Sequence, residues 1–292
     1  MHSTPFAWMR VGHWTDDVSQ TGCTVIRFLG DVVASGEVRG GAPATREFAL
    51  LEPTRLVESI DAVCLSGGSA FGLATADGVV QSLRREGFGF KTAHGVVPIV
   101  IGMSLYDLGV GSAVRWPGSP EGIEALEAAD RSFATGLVGA GTGATTGKWR
   151  GPDEARPGGL SFAVATKGEL VVCALVAVNA VGDIASSERG STIRSEIAAG
   201  TFDWPASPSP LLENTTIGVI ATNGRFTKTQ CRSLAEAGHD GLGRAIVPAH
   251  GPGDGDALVV VSKPEVEADL ASARLLTEVA VESAISAITS SP

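Results

Sequence analysis

The sequence has little basic charge, one tyrosine and no long apolar run. Among its 292 residues, 22 lysines and arginines stand against 32 aspartates and glutamates, which gives a formal charge of −10. Most of such a surface repels nucleic acid and anionic membranes. The longest strongly apolar stretch, residues 171–178, is far shorter than the roughly 20 residues that a membrane span requires. We therefore expect neither nucleic acid nor a membrane as a partner.

Closely spaced cysteines are also missing, and a signal peptide is not expected. Cys23, Cys64, Cys173 and Cys231 lie far apart, without a Cys-x-x-Cys pair. This spacing excludes common zinc and redox motifs and argues against a disulfide framework. The first residues, MHSTPFAWMRVGHW, contain no apolar core of the kind that signal peptides have. The expectation is a cytoplasmic protein without a metal or another cofactor.

Histidine is scarce, and none of the histidines is paired at a metal-binding spacing. The five histidines are His2, His13, His94, His239 and His250. No two of them stand at i, i+4, so structural or solvated positions are the expectation for each. The sequence favours a chemistry that does not use histidine.

What the sequence does contain is core-forming material in alternating strand and helix patterns. Hydrophobic residues make up 43% and glycines number 38, which predicts a sizeable core with many tight turns. Strands alternate with helices, which indicates α/β layers. The predicted strands are 21–29 and 31–35 as a hairpin, 63–65, 96–101, 161–165 paired with 169–179, 215–222 and 258–262. The predicted helices are 69–86, 121–133, 228–238 and 268–288, and an exposed linker is expected at 206–210.

Nucleotide-binding motifs fit the sequence poorly. Residues 139–144, GAGTGA, match G-x-G-x-x-G/A, but no firm strand precedes them and no helix follows. A P-loop fails at Thr142 and Trp149, and a nucleophile elbow fails at Phe71. A nucleotide-binding enzyme that uses residues 139–144 remains a weak alternative.

The tripeptide Asn214-Thr215-Thr216 stands between the proline-rich linker and a predicted strand. A hydroxyl at this position can attack the carbonyl before it and, after hydrolysis, leave a new N-terminus. The freed amine, with a reference pKa of about 7.7–8.0, can then accept the proton of the hydroxyl. The ordinary alternative for the tripeptide alone is a capped turn into a strand.

Six ordered blocks connect the sequence to a known family. They are residues 63–72 (VCLSGGSAFG), 104–107 (SLYD), 139–148, 178–182 (VNAVG), 214–223 and 254–256 (DGD). With these blocks the chain resembles, over nearly its whole length, the L-aminopeptidase/D-amidase-esterase family of self-cleaving N-terminal-nucleophile hydrolases. That family includes β-aminopeptidases, and the motifs are most similar to those of the nylon-oligomer (6-aminohexanoate-oligomer) endo-hydrolases.

The resemblance implies a set of catalytic residues. It implies cleavage between Asn214 and Thr215, with Thr215 as the nucleophile of the cleaved enzyme. Asn179 matches the family's oxyanion-hole asparagine, whose amide can donate to a developing negative charge. Tyr106 matches the active-site tyrosine, although a core aromatic with a satisfied hydroxyl is the ordinary alternative. Lys148 matches a lysine of the nylon-oligomer branch, where a cation would favour a neutral amine on the nucleophile.

The two aspartates of the last block, Asp254 and Asp256, complete the predicted site. In an extended segment their i, i+2 spacing places both carboxylates on one face. A calcium-like loop would need further ligands that do not follow. The nylon-oligomer branch has two aspartates here, whereas the aminopeptidase branch has serine and glutamate. We assign Asp254 to the Thr215 hydroxyl, and Asp256 to the Thr215 amine or to the ammonium group of a substrate.

The resemblance also implies a fold and a function. The fold is a four-layer α-β-β-α sandwich, a single domain over 1–292 that is cut into fragments 1–214 and 215–292. The expected function is hydrolysis of linear amides such as ω-amino-acid oligomers, small peptides or amino-acid amides. The expected assembly is a homo-oligomer of αβ pairs, with a tetramer favoured. The alternatives are a β-aminopeptidase or D-amino-acid amidase-esterase, and an unprocessed protein that only binds small amides.

Overall fold

A computed structural model describes residues 1–112, 114–203 and 214–290, and the linker predicted at 206–210 lies outside them. In these ranges the strands are β1 (His2–Ser3), β2 (Met9–Asp16), β3 (Thr21–Phe28), β4 (Val33–Val38), β5 (Ala44–Arg46), β6 (Ala62–Ser66), β7 (Phe90–Thr92), β8 (Gly95–Val97), β9 (Val100–Ser104), β10 (Ser132–Phe133), β11 (Thr145–Thr146), β12 (Arg156–Pro157), β13 (Gly159–Lys167), β14 (Leu170–Asn179), β15 (Asp183–Ile184), β16 (Thr215–Gly224), β17 (Ile246–Val247) and β18 (Ala257–Val266). The α-helices are α1 (Thr75–Arg85), α2 (Ser119–Glu127), α3 (Glu188–Ala199), α4 (Lys228–Ala245) and α5 (Leu270–Ser286). Within the described ranges, no helix combines the length and the apolar character that crossing a membrane requires.

The longer strands form two mixed five-stranded sheets. The first has the order β2-β3-β6-β9-β5 and the second the order β13-β14-β16-β18-β4. In each sheet one neighbouring pair is parallel, β6 with β9 and β16 with β18, and the other pairs are antiparallel. β16 lies at the centre of the second sheet, and all of its residues are buried.

The apolar side chains separate into three clusters, which define four layers. Between the sheets, Ile26 and Leu65 of the first sheet share a cluster with Leu175 and Val219 of the second. Helices α1 and α2 cover the outer face of the first sheet, and their cluster contains Val25, Cys64, Val79, Leu83 and Leu126. Helices α4 and α5 cover the outer face of the second sheet, with Val176, Ile220, Leu234 and Val281 among the shared core residues. The predicted four-layer α-β-β-α sandwich is therefore confirmed.

The opening of the chain differs from the predicted hairpin of 21–29 with 31–35. β3 belongs to the first sheet and β4 to the second, where β4 pairs with β18. Gly30, with a φ of +83°, lies in the connection that carries the chain from one sheet to the other. The true hairpin partner of β3 is β2, which the sequence pattern did not reveal because its second half is only half-buried and largely polar.

Several helix boundaries also differ from prediction. The segment 69–86 begins as a 3-10 turn, Ser69–Ala74, before α1 starts, and α2 ends at Glu127 rather than at 133. Helix α4 continues past Gly238, where an added Cβ would lie 2.6 Å from the Ile220 side chain. Gly238 therefore allows close packing of the helix on β16 and does not end the helix.

Candidate active site

The predicted site residues meet at one edge of the second sheet. Since β16 and β18 are parallel, both begin at this edge, and the antiparallel β14 ends there. Thr215, the first residue of β16, pairs with Asn179, the last residue of β14. Alternate side chains of a strand point to one face, so Thr215 lies on the same face as Ile217 and Val219, between the two sheets.

The peptide bond before Thr215 is held by two hydrogen-bond donors. The Thr215 Oγ1 atom lies 2.5 Å from the carbonyl oxygen of Asn214. The backbone N–H of Gly255 donates to that same oxygen at 2.8 Å. Donors aimed at a carbonyl oxygen stabilise the negative charge that develops when a nucleophile attacks its carbon. The hydroxyl of Thr215 thus stands beside a polarised peptide bond that it can attack.

Glycine at position 255 is required by this close approach. An added Cβ would lie 2.7 Å from Thr215 Oγ1 and 2.8 Å from the carbonyl oxygen of Ala42. Real Cβ atoms almost never come so near to other atoms. The glycine between the two aspartates therefore lets the backbone of the loop reach both the hydroxyl and the Asn214 carbonyl.

The amide of Asn179 is fixed by contacts on both of its ends. Its Oδ1 accepts hydrogen bonds from Lys148 Nζ at 2.8 Å and from the backbone N–H of Thr145 at 3.0 Å. Its Nδ2 donates to the carbonyl oxygen of Tyr106 at 2.8 Å. Because the donors occupy Oδ1, the NH₂ group is set opposite Lys148. The residue is fully buried, so water does not compete for these bonds.

Lys148 reaches Asn179 from a loop that is attached to the segment following β14. The backbone N–H of Gly147 donates to the Gly182 carbonyl at 2.8 Å, and the indole of Trp149 donates to Asp183 Oδ2 at 2.8 Å. Gly147 has a φ of +72°, a conformation that glycine adopts without strain. These contacts turn the loop inward, and only 8% of Lys148 is exposed.

The two aspartates differ in their surroundings, although both are buried. Asp256 accepts at both oxygens, from the backbone N–H of Thr216 at 2.7 Å and from His250 Nδ1 at 2.9 Å. Asp254 Oδ2 accepts from the backbone N–H of Gly251 at 2.6 Å, whereas its Oδ1 has no hydrogen-bond partner among the described residues. Burial, followed by the nearby Asp256, raises the pKa of Asp254 to about 7. A carboxyl group with such a pKa can exchange protons near neutral pH.

Tyr106 is brought to the site by an anchor in the same loop. Its neighbour Asp107 accepts from the backbone N–H of Gly68 and from the hydroxyl of Thr21, both at 2.7 Å. Burial raises the pKa of Asp107. The anchored loop presents the Tyr106 carbonyl to Asn179, and the tyrosine itself is half-buried.

The six predicted catalytic residues and Asn214 of the predicted cleavage site thus belong to one connected cluster, which consists of Tyr106, Lys148, Asn179, Asn214, Thr215, Asp254 and Asp256. The assigned contacts of the aspartates differ in detail from the structure. In the continuous chain, the hydroxyl of Thr215 donates to the Asn214 carbonyl, and Asp256 accepts from the N–H of Thr216 rather than that of Thr215. Asp254 lies beside the predicted cleavage site through its bridge to Asn214.

Sequence reasoning missed His250 and Asp107 as parts of the site. The expectation of a site without histidine overlooked the contact of His250 with Asp256. Its position six residues before Asp256, in a loop of alternating glycines, was the available signal. For Asp107, the available signal was its position next to Tyr106 in the family block 104–107.

The glycines of residues 139–144 serve packing in this fold. An added Cβ would clash with the backbone nitrogen of Leu160 at Gly141, and with the carbonyl oxygen of Gln20 at Gly143. The segment forms a 3-10 turn, Gly139–Gly141, rather than a strand-to-helix crossing. The geometry therefore differs from that of a dinucleotide-binding turn.

Comparison with known proteins shows the family to which the chain is similar. The model of the family described as Peptidase family S58 matches residues 7–291. An uncharacterized aminopeptidase of Mycobacterium tuberculosis (strain H37Rv) is 38% identical over 284 residues, which cover 89% of this chain and 80% of that protein. A 6-aminohexanoate-oligomer endohydrolase of Paenarthrobacter ureafaciens is 29% identical over 278 residues, which cover 90% and 75% of the two chains.

The fold is likewise similar to that of a solved structure. The L-aminopeptidase D-Ala-esterase/amidase of Ochrobactrum anthropi, described as a variant of the Ntn hydrolase fold, superposes with a TM-score of 0.73 at 19% identity. The superposition covers 96% of this chain and 83% of that one. At this identity the likeness concerns the fold alone.

Proposed function

Because the chain belongs to peptidase family S58 and is an amide-bond hydrolase, we propose that it cleaves itself and that Thr215 is its nucleophile. The observation that carries the proposal is the position of Thr215 Oγ1, 2.5 Å from the carbonyl oxygen of Asn214 at the start of a buried strand. The Gly255 N–H on that same oxygen adds the donor that the reaction needs.

Self-cleavage begins with attack of Thr215 Oγ1 on the carbonyl carbon of Asn214. The hydroxyl proton passes to Asp254, the carbon–nitrogen bond breaks, and the nitrogen of Thr215 takes up a proton to leave as an amine. The resulting ester between Asn214 and Thr215 is then hydrolysed by water. The products are a carboxylate on Asn214 and a free α-amine on Thr215, in fragments 1–214 and 215–292 of a single domain.

In the cleaved enzyme, Thr215 attacks the amide carbon of a substrate in the same way. Its own amine, with a reference pKa of about 7.7–8.0, accepts the hydroxyl proton and passes it to the leaving amine. The Asn179 amide stabilises the negative oxygen, and Lys148 holds that amide in place while favouring the neutral form of the Thr215 amine. Water then releases the acyl group.

The proposed substrates are linear amides of ω-amino acids, together with small peptides and amino-acid amides. The buried aspartate pair supports this class, because a carboxylate at the site can also pair with the ammonium group of an ω-amino acid. A relative of this chain is named for 6-aminohexanoate oligomers. A panel of p-nitroanilides of 6-aminohexanoate, β-alanine and L-alanine separates this class from the β-aminopeptidase alternative. Preference for the β-alanine compound would favour that alternative.

Denaturing gels of the wild type, Thr215→Ala and Thr215→Ser test the mechanism. The wild type should run as two bands, Thr215→Ala as one, and Thr215→Ser as two, because serine keeps the hydroxyl. Amide hydrolysis should follow the two-band pattern. If the wild type remains one chain, hydrolyses none of the amides and still binds them, the unprocessed binding protein is the correct description.

We also propose that the cleaved pairs assemble into a tetramer, as the resemblance to the family implies, and that they act in the cytoplasm, as the sequence analysis predicts. Light scattering after gel filtration should give about four times the mass of one 29.8 kDa chain. A mass of a single chain or pair would contradict the assembly and leave the catalytic proposal intact.

A further inference from the structure

The ring of His250 lies between two groups that only accept hydrogen bonds. Its Nδ1 is 2.9 Å from Asp256 Oδ2, and its Nε2 is 3.2 Å from the carbonyl oxygen of His239. A neutral imidazole donates from one nitrogen only, so it could not donate both to the Asp256 carboxylate and to the His239 carbonyl. The arrangement therefore fits the doubly protonated, positively charged ring.

The two carboxylates of the site are consequently unequal. Both oxygens of Asp256 receive donors, from His250 and from the backbone N–H of Thr216. Asp254 has a buried Oδ1 that lacks a partner among the described residues, and a proton there would cost no existing hydrogen bond. Two carboxylates that lie near each other do not both ionise easily. The proton of the pair therefore resides on the carboxylate that receives fewer hydrogen bonds, which is Asp254.

We propose that His250 is a positioning residue that keeps Asp256 in the carboxylate form, so that the proton exchanged by the pair resides on Asp254 beside Thr215. The inference rests on the proposed function, in which Asp254 accepts the proton of the Thr215 hydroxyl. His250 itself touches neither the hydroxyl nor the peptide bond that breaks. It acts through Asp256, which binds the backbone of the residue after the nucleophile.

The other charged groups around the pair fit this division. Burial and Asp256 raise the pKa of Asp254, whereas His250 and Lys148 oppose that rise. The hydrogen bond and the charge of Asp256 outweigh burial and raise the pKa of His250, although Arg39 opposes its protonation.

The neighbouring His239 does not compete for this role. Its ring lies 5.0 Å from that of His250, and burial lowers its pKa to about 3. His239 is therefore neutral at the pH at which the pair exchanges its proton. Among the described residues, His250 is the imidazolium that contacts the pair.

The sign of the pH dependence follows from these charges. Asp254 must lose its proton before it can accept one from Thr215, so the rate of self-cleavage rises with pH through the pKa of Asp254. Without the imidazolium, the pair holds its proton more tightly, and this rise moves to higher pH. At high pH the wild-type ring also loses its charge, so the two profiles should converge there.

The variant His250→Asn tests this dependence, with His94→Asn as the matched control. Asparagine tolerates the left-handed backbone of His250, whose φ is 57°, and keeps a neutral donor while removing the charge. His94 is exposed in the β7–β8 turn, far from the site in the fold. The rate of self-cleavage, the reaction in which Asp254 accepts the proton, is followed from about pH 5 to about pH 9.

For His250→Asn we expect the rising limb of the pH–rate profile of self-cleavage to shift upward by about one pH unit. The rate should fall about tenfold at pH 6 and approach that of the wild type at pH 9. His94→Asn should reproduce the wild-type profile. A loss by the same factor at every pH, which a purely structural role produces, overturns the proposal, and so does an unchanged profile.

A second measurement applies if His250→Asn fails to fold. In ¹⁵N-histidine spectra of the wild type at neutral pH, both ring nitrogens of His250 should carry protons. A neutral tautomer at His250 overturns the proposal. This readout does not depend on cleavage, so it separates failure of the inference from failure of Thr215 as the nucleophile.

Discussion

At the scale of single residues, the site depends on the orientation of one buried amide. Lys148 and the backbone of Thr145 occupy the oxygen of Asn179, which leaves its nitrogen as the donor. One N–H of that nitrogen donates to the Tyr106 carbonyl. Asn179 and Thr215 are paired on the neighbouring strands β14 and β16. A substrate carbonyl attacked by Thr215 would meet this donor at the strand end.

Asn179→Asp should lower kcat by about 10²–10³-fold, because the change removes the donor and keeps the shape. KM should change little, since the lost bond forms mainly in the transition state. Rates are normalised to the cleaved fraction seen on a gel. The matched control is Asn223→Asp at the far end of β16, where the amide binds Val171 and Glu169. An equal kcat loss in both variants would contradict the role of Asn179.

Above neutral pH, the ionised side chain of Asp254 should lower the free energy of unfolding. Its pKa is raised to about 7 in the folded protein, from 3.8, so the protonated form stabilises folding. This stabilisation is complete below pH 3.8 and is lost as the pH rises through about 7. A neutral residue at this position would escape the loss.

Asp254→Asn in a Thr215→Ala background should therefore raise Tm at pH 8 and raise it less at pH 5, where only part of the stabilisation has been lost. The background keeps both proteins uncut, so that only the carboxyl differs. The gain should be a few degrees, at about 2–4 °C for each kcal/mol. Thermal unfolding followed by circular dichroism gives both values. A gain that is larger at pH 5 than at pH 8 would contradict the raised pKa.

The residues that the structure brings together were predictable where a family motif marked them, as for Lys148, Asn179 and the aspartate pair, whereas their catalytic roles stay predictions. His250 was not, because an isolated histidine in a loop shows nothing of the carboxylate that the fold brings to it. The same limit applied to the Gly255 N–H, since backbone donors carry no signal in a sequence.

At the scale of elements, strands with continuous apolar runs were predictable, including β14 and β16, which carry Asn179 and Thr215. The strands with which they pair were less predictable. The run around Gly30 predicted a hairpin, but β4 crosses to the second sheet and pairs with β18. Local pattern sets which residues are buried, whereas packing of the whole chain decides which strands pair. Helix α3 carries little apolar periodicity and escaped prediction.

The loop before β18 should be the element least tolerant of added volume. In Gly255→Ala, the new Cβ would meet Thr215 Oγ1 at 2.7 Å and the Ala42 carbonyl at 2.8 Å. A misplacement of about 1 Å can slow a reaction about 10²-fold, so uncut chain should accumulate on gels. Gly243→Ala in helix α4, where a Cβ meets nothing within 4 Å, is the control. It should cleave normally and gain up to about 1 kcal/mol in stability. Normal cleavage of Gly255→Ala would contradict the close approach.

At the scale of the whole molecule, the two long strands of the proposed small fragment lie in the interior of the second sheet. β16 and β18, both after the cleavage site, stand between β14 and β4, both before it. Each fragment thus supplies strands that the other needs to complete its hydrogen bonds. The clusters between the sheets and beneath α4 and α5 also draw residues from both fragments.

Cleavage should therefore leave the two fragments associated. On native gel filtration they should elute together, and thermal unfolding should show one cooperative transition. They should separate only in denaturant. Elution of a free 215–292 fragment from the native column would contradict the shared core.

The most direct test of Thr215 as a self-generated N-terminal nucleophile is intact-mass analysis of purified protein combined with N-terminal sequencing. We expect two masses that sum to the uncut chain plus one water, with the smaller chain beginning Thr-Thr-Ile-Gly, and one uncut mass for Thr215→Ala. A wild type that hydrolyses amides as one intact chain, or that is cut at another bond, would contradict this expectation.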